Sequence, residues 1–389
     1  MSAEAYIEDW LQTPPPNPIH IYSRLYKPDA PKALLVFIHG FQEHVGRYTW
    51  THTQLKARGI AVFAIDQRGF GRTAFGEKGV RRGTGYGRTG IDLQMRDIEF
   101  VLSVARERVP GVPVFLSGHS MGGGEVLSYA CRGSAGSKTL SGVIASSPLV
   151  GLTNPKSKLI RYIGGKAAVL MPWFSIPAKV EPETLSHDAE ANAAVLQDPL
   201  IHPTGTLKGV GEMLAEGDNL LSHHHKSWPK DLPVPEKRPQ ILIYHGSDDP
   251  VTSPKLSQRF LDLLPAGVDK TYVPFDGGYH ELHHEIDGMK ERVIDEVTHW
   301  IEAHLNTPKA QASAAVSAPA APSPAAAPAT PTNGSQTKVA DASTTPTGLT
   351  TPALVVTPAS PIGGSPLAGA DGPASFGALE DGAGATAKL

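Results

Sequence analysis

Up to about residue 305, short runs of apolar residues alternate with longer segments in which apolar positions recur at helical spacing. Runs such as Ala33–Ile38 and Ile60–Ile65 are apolar at every position, which is typical of strands buried on both faces of a parallel sheet. In Gly90–Val109, by contrast, apolar side chains such as Ile98 and Leu102 fall on one side of a helix. This alternation predicts an α/β fold, with a mostly parallel central sheet covered by helices on both faces.

The apolar periods, together with glycine and proline stops, also predict where the elements lie. The predicted strands are Ile19–Leu25, Ala33–Ile38, Ile60–Ile65, Val114–Leu116, Leu140–Ser147, Ile241–Tyr244 and Lys270–Val273. The predicted helices are Trp50–Arg58, Gly90–Val109, Gly123–Ala130, Lys158–Met171, Pro254–Leu264 and Gly288–Leu305. We expect the first strand, Ile19–Leu25, to lie at the edge of the sheet.

The strand–helix alternation is interrupted once and then ends, which divides the chain. It stops over residues 149–228, and an insertion at that point of such a sheet is a lid or cap. The predicted core is therefore formed by residues 1–148 and 229–306. Residues 307–389 are dominated by Ala, Pro, Ser, Thr and Gly, with few aromatic side chains and little charge. Such a segment buries too little apolar surface to offset its backbone entropy, so we expect a disordered tail.

Charge and composition exclude several classes of protein. A net charge of −3 is unlike the basic field of a nucleic-acid binder, so no nucleic acid is expected as a partner. The single cysteine, Cys131, excludes an internal disulfide framework and fits a reducing compartment. The sequence shows neither the apolar core of a secretory signal nor a run long enough to span a bilayer. We expect a cytoplasmic protein, at most peripheral to a membrane. Nothing in the sequence predicts its oligomeric state.

Candidate chemistry begins at Gly118–Gly122, which reads Gly-His-Ser-Met-Gly between a predicted strand and a predicted helix. This context is typical of a nucleophile elbow, where Ser120 occupies a sharp strained turn and the residues two before and two after it must be small. A glycine-rich turn with an incidental serine is the alternative for the pentapeptide alone.

The remaining parts of a serine-hydrolase site follow other strands. In such enzymes the acid comes after the seventh strand and the histidine after the eighth. Asp248 and Asp249 follow Ile241–Tyr244, and His280 follows Lys270–Val273. The oxyanion donors need backbone N–H groups. The candidates are Met121, directly after the serine, and Phe41, which follows the strand ending before His39-Gly40.

Five segments together resemble the monoacylglycerol lipase family of serine hydrolases. They are His39–Tyr48, Asp66–Arg72, Gly118–Gly122, Gly246–Val251 and Tyr279–Leu282. The resemblance spans about residues 5–305 and leaves the tail uncovered. It implies an α/β-hydrolase fold with a helical cap inserted after the sixth strand. The implied activity is cleavage of long-chain monoacylglycerol to fatty acid and glycerol, without a cofactor or metal. A lysophospholipase, a broad carboxylesterase or an acyltransferase with the same triad is the alternative.

The resemblance also implies roles for individual residues. Ser120 is the nucleophile and His280 the base, and the family's turn aligns Asp249 as the acid, with Asp248 as the alternative. Glu43 and Arg47 lie in the loop near the glycerol end of the substrate. They are candidates to bind the glycerol hydroxyls, or else form an ion pair that braces the loop.

The predicted cap carries a basic and apolar segment. Between Gly151 and Val180 all five charged residues are Lys or Arg, and apolar residues such as Trp173 and Phe174 are frequent. A segment of this kind is typical of a surface that contacts a membrane or a lipid droplet. The alternative is that these apolar residues line an acyl tunnel and pack the cap. The histidines His223–His225 could suggest a metal, but an exposed loop is expected, because consecutive residues point in different directions and lack a partner at ligand spacing.

Overall fold

The computed structural model of the protein describes residues 5–15, 18–155, 158–228 and 240–305. The predicted tail, residues 307–389, lies outside the described residues, as does most of the segment that joins the insertion to the second part of the core. The described residues form one central sheet, helices around it and a helical insertion.

The central sheet has eight strands. Two pairs of neighbouring strands are antiparallel, and the other pairs are parallel. The strands are β1 (Ile7–Gln12), β2 (His20–Tyr26), β3 (Ala33–Ile38), β4 (Ile60–Ile65), β5 (Val114–His119), β6 (Gly142–Ser146), β7 (Gln240–Gly246) and β8 (Lys270–Phe275). Their order is β1-β2-β4-β3-β5-β6-β7-β8. Only the β1–β2 and β2–β4 pairs are antiparallel among these strands. The carboxyl ends of β3 and β5–β8 therefore meet at one edge of the sheet, where ligands bind in folds of this kind.

The prediction of Ile19–Leu25 as an edge strand was wrong. The observed strand β2 pairs with β1 on one side and β4 on the other. The edge strand on this side of the sheet, Ile7–Gln12, was missed because only one of its six residues, Leu11, is buried, so no apolar run marks it. Counting β1, the chain completes six strands before the insertion.

Nine α-helices are described, of which three belong to the insertion and the others flank the sheet. They are α1 (Thr49–Ala57), α2 (Gly71–Phe75), α3 (Ile91–Arg108), α4 (Ser120–Arg132), α5 (Lys158–Leu170), α6 (Ala189–Gln197), α7 (Leu207–Ser222), α8 (Pro254–Leu263) and α9 (Met289–Ala303). Alternate residues of β3 enter different cores. Val36 packs in one cluster with Ile98 of α3, and Phe37 in another with Leu55 of α1. The predicted α/β class with two covered faces is confirmed.

The cap insertion, the chain between β6 and β7, contains α5–α7 and a two-stranded ribbon of Ser175–Pro177 and Thr204–Thr206. Only α5 was predicted. Helix α6 is rich in alanine and capped by Asp188, but it has no buried residue and so no apolar face to mark it. Helix α7 contains Gly209, Gly211 and Gly217, which weaken its helical signal. Among the described residues, no helix combines the length and the hydropathy that a bilayer crossing requires.

Candidate active site

Ser120 lies at the sharp turn between β5 and α4 that its flanking glycines predict. Its φ angle is +54°, a left-handed conformation that costs free energy in a residue with a side chain. The two glycines allow close passage. A Cβ atom on Gly118 would lie 2.3 Å from the Gly122 carbonyl oxygen, and one on Gly122 would lie 2.3 Å from the Ile38 carbonyl oxygen. The turn thus requires glycine at both positions and projects the serine from the sheet edge.

Ser120, His280 and Asp249 form a continuous line of contacts. The His280 Nε2 atom lies 2.9 Å from the Ser120 Oγ, and its Nδ1 atom lies 2.8 Å from the Asp249 Oδ2. A carboxylate can only accept a hydrogen bond, so the neutral imidazole carries its hydrogen on Nδ1. This leaves Nε2 free to accept the serine proton. This is the geometry that a serine nucleophile with a general base requires.

The carboxylate of Asp249 is buried and surrounded by donors. Its Oδ1 accepts hydrogen bonds from the backbone N–H groups of Val251, at 2.7 Å, and Thr252, at 2.9 Å. Its Oδ2 accepts from the Thr252 hydroxyl at 2.9 Å and lies 3.0 Å from the His245 Nε2. Burial alone would raise the pKa of Asp249, but the charges and hydrogen bonds of His280 and His245 hold it well below its ordinary value. The neighbouring Asp248 is exposed and accepts from the Ser247 hydroxyl instead.

His245 and Thr252 were not singled out from the sequence, although one lies at the end of β7 and the other directly after the turn that carries the predicted acid, Asp249. His245 lies four residues before Asp249 and bridges that carboxylate to the Ser257 hydroxyl, at 3.1 Å from its Nδ1. The sequence offered one signal for this contact, a histidine that directly follows a predicted buried strand and lies four residues before the predicted acid.

The electrostatics of His280 favour its charged form more than burial opposes it. Burial lowers the pKa of His280, whereas the charge and the hydrogen bond of Asp249 raise it. Together the raising effects prevail, so the pKa of His280 lies above its ordinary value. Its neighbour His119 behaves in the opposite way. Burial and the charge of His280 lower the pKa of His119 well below its ordinary value, and the two ring centroids are 4.8 Å apart. His119 is therefore a neutral packing partner.

The predicted oxyanion donors lie on either side of the serine. Met121 follows Ser120 in the first turn of α4. Phe41 lies in a tight turn after β3, in which the Glu43 N–H contacts the Gly40 carbonyl oxygen at 3.4 Å. A Cβ atom on Gly40 would lie 3.0 Å from the Ser120 Cβ, so this turn packs directly against the serine.

Glu43 and Arg47 are paired, and both line the cavity above Ser120. An Arg47 nitrogen lies 2.6 Å from the Glu43 Oε1. The other carboxylate oxygen of Glu43 accepts from the Gly40 N–H at 2.7 Å and from the Tyr48 hydroxyl at 2.5 Å. The contacts that brace the loop are therefore present. Arg47 has a second partner that sequence reasoning missed, Glu281, although that carboxylate directly follows the base.

An apolar cavity of about 210 Å³ opens over the serine beneath the cap insertion. Its lining includes Phe41, Val180, Leu185, Val195, Leu196, Ile201 and Val251. A second cavity of about 200 Å³ shares Phe41, Val180 and Val251 with it. That second cavity in turn shares Val210 and Leu214 with a groove of about 750 Å³ between α5 and α7. Adjacent apolar spaces thus lead from Ser120 toward the cap insertion.

Two side chains of the loop after β3 reach the cap insertion. The Gln42 amide donates to the carbonyl oxygens of Ala178, at 2.9 Å, and Thr204, at 3.0 Å. The His44 Nε2 lies 2.7 Å from the Asp198 carboxylate. The insertion is therefore held directly over the loop that carries Phe41.

Among the described residues, two clusters of side chains are spaced so that they could hold a cation. One is Glu43, His119 and Glu281, and the other is Glu281, His283 and His284. The guanidinium of Arg47 already supplies positive charge to both carboxylates, Glu43 and Glu281.

Of the three consecutive histidines His223–His225, His225 is buried, and its Nδ1–H donates to the Leu220 carbonyl oxygen at 3.0 Å. His224 is half-buried, and its Nε2 atom lies 3.1 Å from the Glu216 carboxylate. Both histidines belong to a short 3-10 helix, His224–Ser227. The expectation of an exposed loop was therefore wrong for His224 and His225, and only His223 of the three is exposed.

Comparisons with known proteins agree with this architecture. The model of the Hydrolase_4 family, described as serine aminopeptidase, S33, matches residues 29–287. The monoglyceride lipase of Saccharomyces cerevisiae is 30% identical over 285 residues, which cover 70% of this chain and 85% of that protein. The monoglyceride lipase of Rattus norvegicus is 30% identical over 290 residues, which cover 74% of this chain and 88% of that protein. A solved soluble variant of the S. cerevisiae enzyme, in complex with a substrate analog, is similar in fold, with a TM-score of 0.67 and 24% identity over 79% of this chain and 98% of that one.

Proposed function

This chain belongs to the monoacylglycerol lipase family of α/β-hydrolases and is an ester hydrolase, and we propose that it cleaves long-chain monoacylglycerol to fatty acid and glycerol. The observation that carries the proposal is the Ser120–His280–Asp249 line of contacts beneath an apolar cavity covered by the cap insertion. In this proposal residues 149–228 form the substrate-binding cap of a core made of residues 1–148 and 229–306.

The first half of the reaction transfers the acyl group to the enzyme. The Ser120 Oγ attacks the ester carbonyl carbon while its proton passes to the His280 Nε2. Asp249 stabilises the imidazolium that forms. The N–H groups of Phe41 and Met121 donate to the oxyanion of the tetrahedral intermediate. Collapse of the intermediate breaks the ester bond, and the glycerol oxygen leaves with the proton held by His280.

The second half regenerates the serine. A water molecule gives its proton to His280 and attacks the acyl-enzyme carbonyl carbon. The second tetrahedral intermediate collapses, Ser120 regains its proton from His280, and the fatty acid is released. No metal or organic cofactor enters either step.

The apolar spaces beneath the cap insertion support a long acyl chain as the substrate's tail. Each methylene group that leaves water there contributes about 0.8 kcal/mol of binding free energy. Glu43 and Arg47 lie at the polar end of the cavity, and we propose that the glycerol group lies beside them. The donors of Arg47 are engaged by two carboxylates, Glu43 and Glu281, which disfavours a phosphodiester head group. This favours monoacylglycerol over lysophospholipid.

We further propose that the cap insertion contacts a membrane or lipid-droplet surface. At the end of α5 and directly after it, several large apolar residues are exposed, with 82% of Leu170, 52% of Met171 and 56% of Phe174 accessible to solvent. Apolar side chains at such density favour an interfacial position. The side chains of Lys156, Lys158 and Arg161, which carry part of the predicted basic charge, lie outside the described residues.

A kinetic panel tests the proposed activity. Purified wild type and Ser120→Ala are compared on monoacylglycerols, lysophospholipids and diacylglycerols, with fatty acid and glycerol both measured. We expect monoacylglycerols to give the highest kcat/KM and the variant to lose about 10⁶-fold in kcat, as deletion of such a nucleophile does. Retained turnover by Ser120→Ala would overturn the mechanism. A preference for lysophospholipids, or acyl transfer to an added alcohol in place of hydrolysis, would overturn the substrate or the reaction.

A further inference from the structure

His39, the residue before the loop that carries Phe41, has both ring nitrogens engaged. It is fully buried at the carboxyl end of β3, with 0% of its surface exposed. Its Nδ1 atom lies 2.8 Å from the Gly40 carbonyl oxygen. Its Nε2 atom lies 2.8 Å from the backbone nitrogen of Gln67. The ring thus bridges the loop after β3 and the loop after β4.

These two partners fix which nitrogen of His39 carries the hydrogen. A backbone N–H can only donate, so Nε2 must accept from Gln67. A carbonyl oxygen can only accept, so the hydrogen must lie on Nδ1 and be donated to Gly40. Burial lowers the pKa of His39 to about 3, so the ring keeps this single neutral form throughout the working pH range.

The Gly40 carbonyl belongs to the same rigid peptide unit as the Phe41 N–H. A peptide is planar, so a hydrogen bond that fixes the direction of the carbonyl also fixes the direction of the N–H on its opposite side. Donation to the carbonyl oxygen also polarises the amide and strengthens the N–H as a donor. We propose that His39 is a positioning residue, which aims and polarises the Phe41 N–H toward the oxyanion. This inference rests on the proposed function.

The preceding peptide is held in the same way, so the loop approaches the serine as a fixed frame. The His39 carbonyl oxygen accepts from the Gln67 side-chain amide at 2.6 Å. On the other side of that peptide, the Gly40 N–H donates to the Glu43 carboxylate at 2.7 Å. Two groups donate to the carbonyl of the next peptide. The His39 ring, at 2.8 Å, is the closer one, and the Glu43 N–H contacts the same Gly40 oxygen at 3.4 Å, so we assign the orientation of this peptide chiefly to His39.

The first test compares two leucine variants of the full chain. His39→Leu removes the donor to Gly40, whereas His52→Leu removes another fully buried histidine whose ring nitrogens form no hydrogen bond among the described residues. Burial also lowers the pKa of His52 to about 3, which makes the control chemically matched. We expect His39→Leu to lower kcat by roughly 10- to 100-fold with KM nearly unchanged, since deleting an oxyanion donor outright costs about 10²–10³. We expect His52→Leu to keep kcat within about twofold. Equal effects in the two variants would overturn the inference.

A second pair of variants works even where leucine prevents folding. In His39→Asn the side-chain amide nitrogen stands at the depth of the imidazole Nδ1, so it can still donate to Gly40. In His39→Gln the amide stands at the depth of Nε2, near Gln67. We expect the Asn variant to exceed the Gln variant in kcat by about tenfold, a fraction of the oxyanion-donor effect. The reverse order, or equal kcat values, contradicts the proposed role of Nδ1.

Two further readouts separate this inference from the proposed function. The loss in His39→Leu should be the same across the pH range of activity, because the ring is neutral throughout. A pH-dependent loss would contradict the inference. Ser120→Ala is measured in parallel. If Ser120→Ala abolishes turnover while His39→Leu keeps kcat within about twofold of the wild type, only the positioning role fails. If Ser120→Ala retains turnover, the proposed function fails and the role of His39 fails with it.

Discussion

The Arg47 guanidinium and the Glu281 carboxylate form a two-point ion pair, with nitrogen–oxygen distances of 2.5 Å and 2.7 Å. Arg47 also contacts the Glu43 carboxylate, and all three side chains are almost fully buried. The backbone N–H of Glu281 donates to the Leu185 carbonyl oxygen in the cap insertion at 2.7 Å. Because Glu281 directly follows His280, one buried arginine connects the loop after β3, the loop of the base and the cap insertion.

Removal of Arg47 should therefore destabilise the protein strongly. In Arg47→Met the carboxylates of Glu43 and Glu281 would face each other without a cation, and breaking a buried pair in this way costs about 3–5 kcal/mol. Arg58→Met is the control, because Arg58 pairs with Asp295, a carboxylate whose side chain is 68% exposed. Such a surface pair contributes about 0–1 kcal/mol. Urea unfolding measures both free energies. Similar losses in the two variants would show that the buried cation is not required.

Asp249 and Asp248 should respond very differently to the same substitution. Asp249→Asn removes the charge that orients and stabilises His280, and comparable changes lower kcat by about 10⁴-fold. Asp248→Asn alters an exposed carboxylate that contacts only Ser247 among the described residues, so kcat should stay within about twofold. Steady-state hydrolysis of a monoacylglycerol measures both, with melting temperatures as a check of folding. A larger loss in Asp248→Asn would reassign the acid.

The pH dependence of kcat/KM should report the raised pKa of His280. The base must be neutral to accept the serine proton, so activity falls as pH falls through the pKa of His280. The negative charge of Asp249 holds that pKa above the ordinary value of 6.5. Burial and the charge of His280 lower the pKa of the neighbouring His119, so the two histidines are shifted in opposite directions and a limb above the ordinary value belongs to His280. A water-soluble ester assayed from pH 5 to 9 should give an acid limb above the ordinary value. A midpoint below it would contradict the electrostatic assignment.

The fold was largely predictable because its strands are apolar on both faces. Ala33–Ile38 and Ile60–Ile65 were predicted with their observed bounds, since burial on both sides leaves no polar position to interrupt the run. The edge strand Ile7–Gln12 escaped because exposure removes that signal. Helices α6 and α7 escaped for related reasons, one being exposed and the other rich in glycine.

The site divides in a similar way into residues fixed by local motifs and residues fixed by tertiary contacts. Ser120, His280 and Asp249 follow strand ends, so the fold class alone brings them to one edge. The partnership of Arg47 with Glu281 joins residues 234 positions apart, and nothing local in the sequence encodes it. The Nδ1 hydrogen bond of His39 is local. The tautomer that makes it possible, however, is fixed by the Gln67 N–H, which lies after a different strand, β4.

Gly122 should tolerate no side chain, whereas Gly211 in helix α7 should accept one. In Gly122→Ala the new methyl group would lie 2.3 Å and 2.4 Å from the carbonyl oxygens of Ile38 and His39, which must then move. Overpacking of this kind costs about 1–3 kcal/mol and displaces the strand end before Phe41, so kcat should fall as well. Gly211 in α7 has no atom within 4 Å of such a methyl group, so Gly211→Ala should stabilise by about 0.5–1 kcal/mol. Urea unfolding of both variants measures the free energies, and equal stability would contradict the close passage at the elbow.

The exposed apolar residues after α5 allow the interfacial role of the cap insertion to be separated from acyl binding. Trp173 and Phe174 are 39% and 56% exposed, and neither lines the cavity directly above Ser120. Replacement of both by Ser should weaken flotation with anionic phospholipid vesicles at least tenfold, since burial of one large apolar side chain contributes about 1.5–3 kcal/mol. Val80→Ser is the control, because Val80 is 65% exposed but lies outside the cap insertion.

Kinetics then distinguish the two explanations for these side chains. If they contact the lipid surface, turnover of a water-soluble short-chain ester should be unchanged in the double variant, while turnover of vesicle-borne monoacylglycerol should fall. If they instead line the path of the acyl chain, flotation should be unchanged and kcat/KM should fall in proportion to chain length, even for substrate presented in detergent micelles. Unchanged flotation would therefore remove the surface role and assign Trp173, which borders the groove between α5 and α7, to acyl binding.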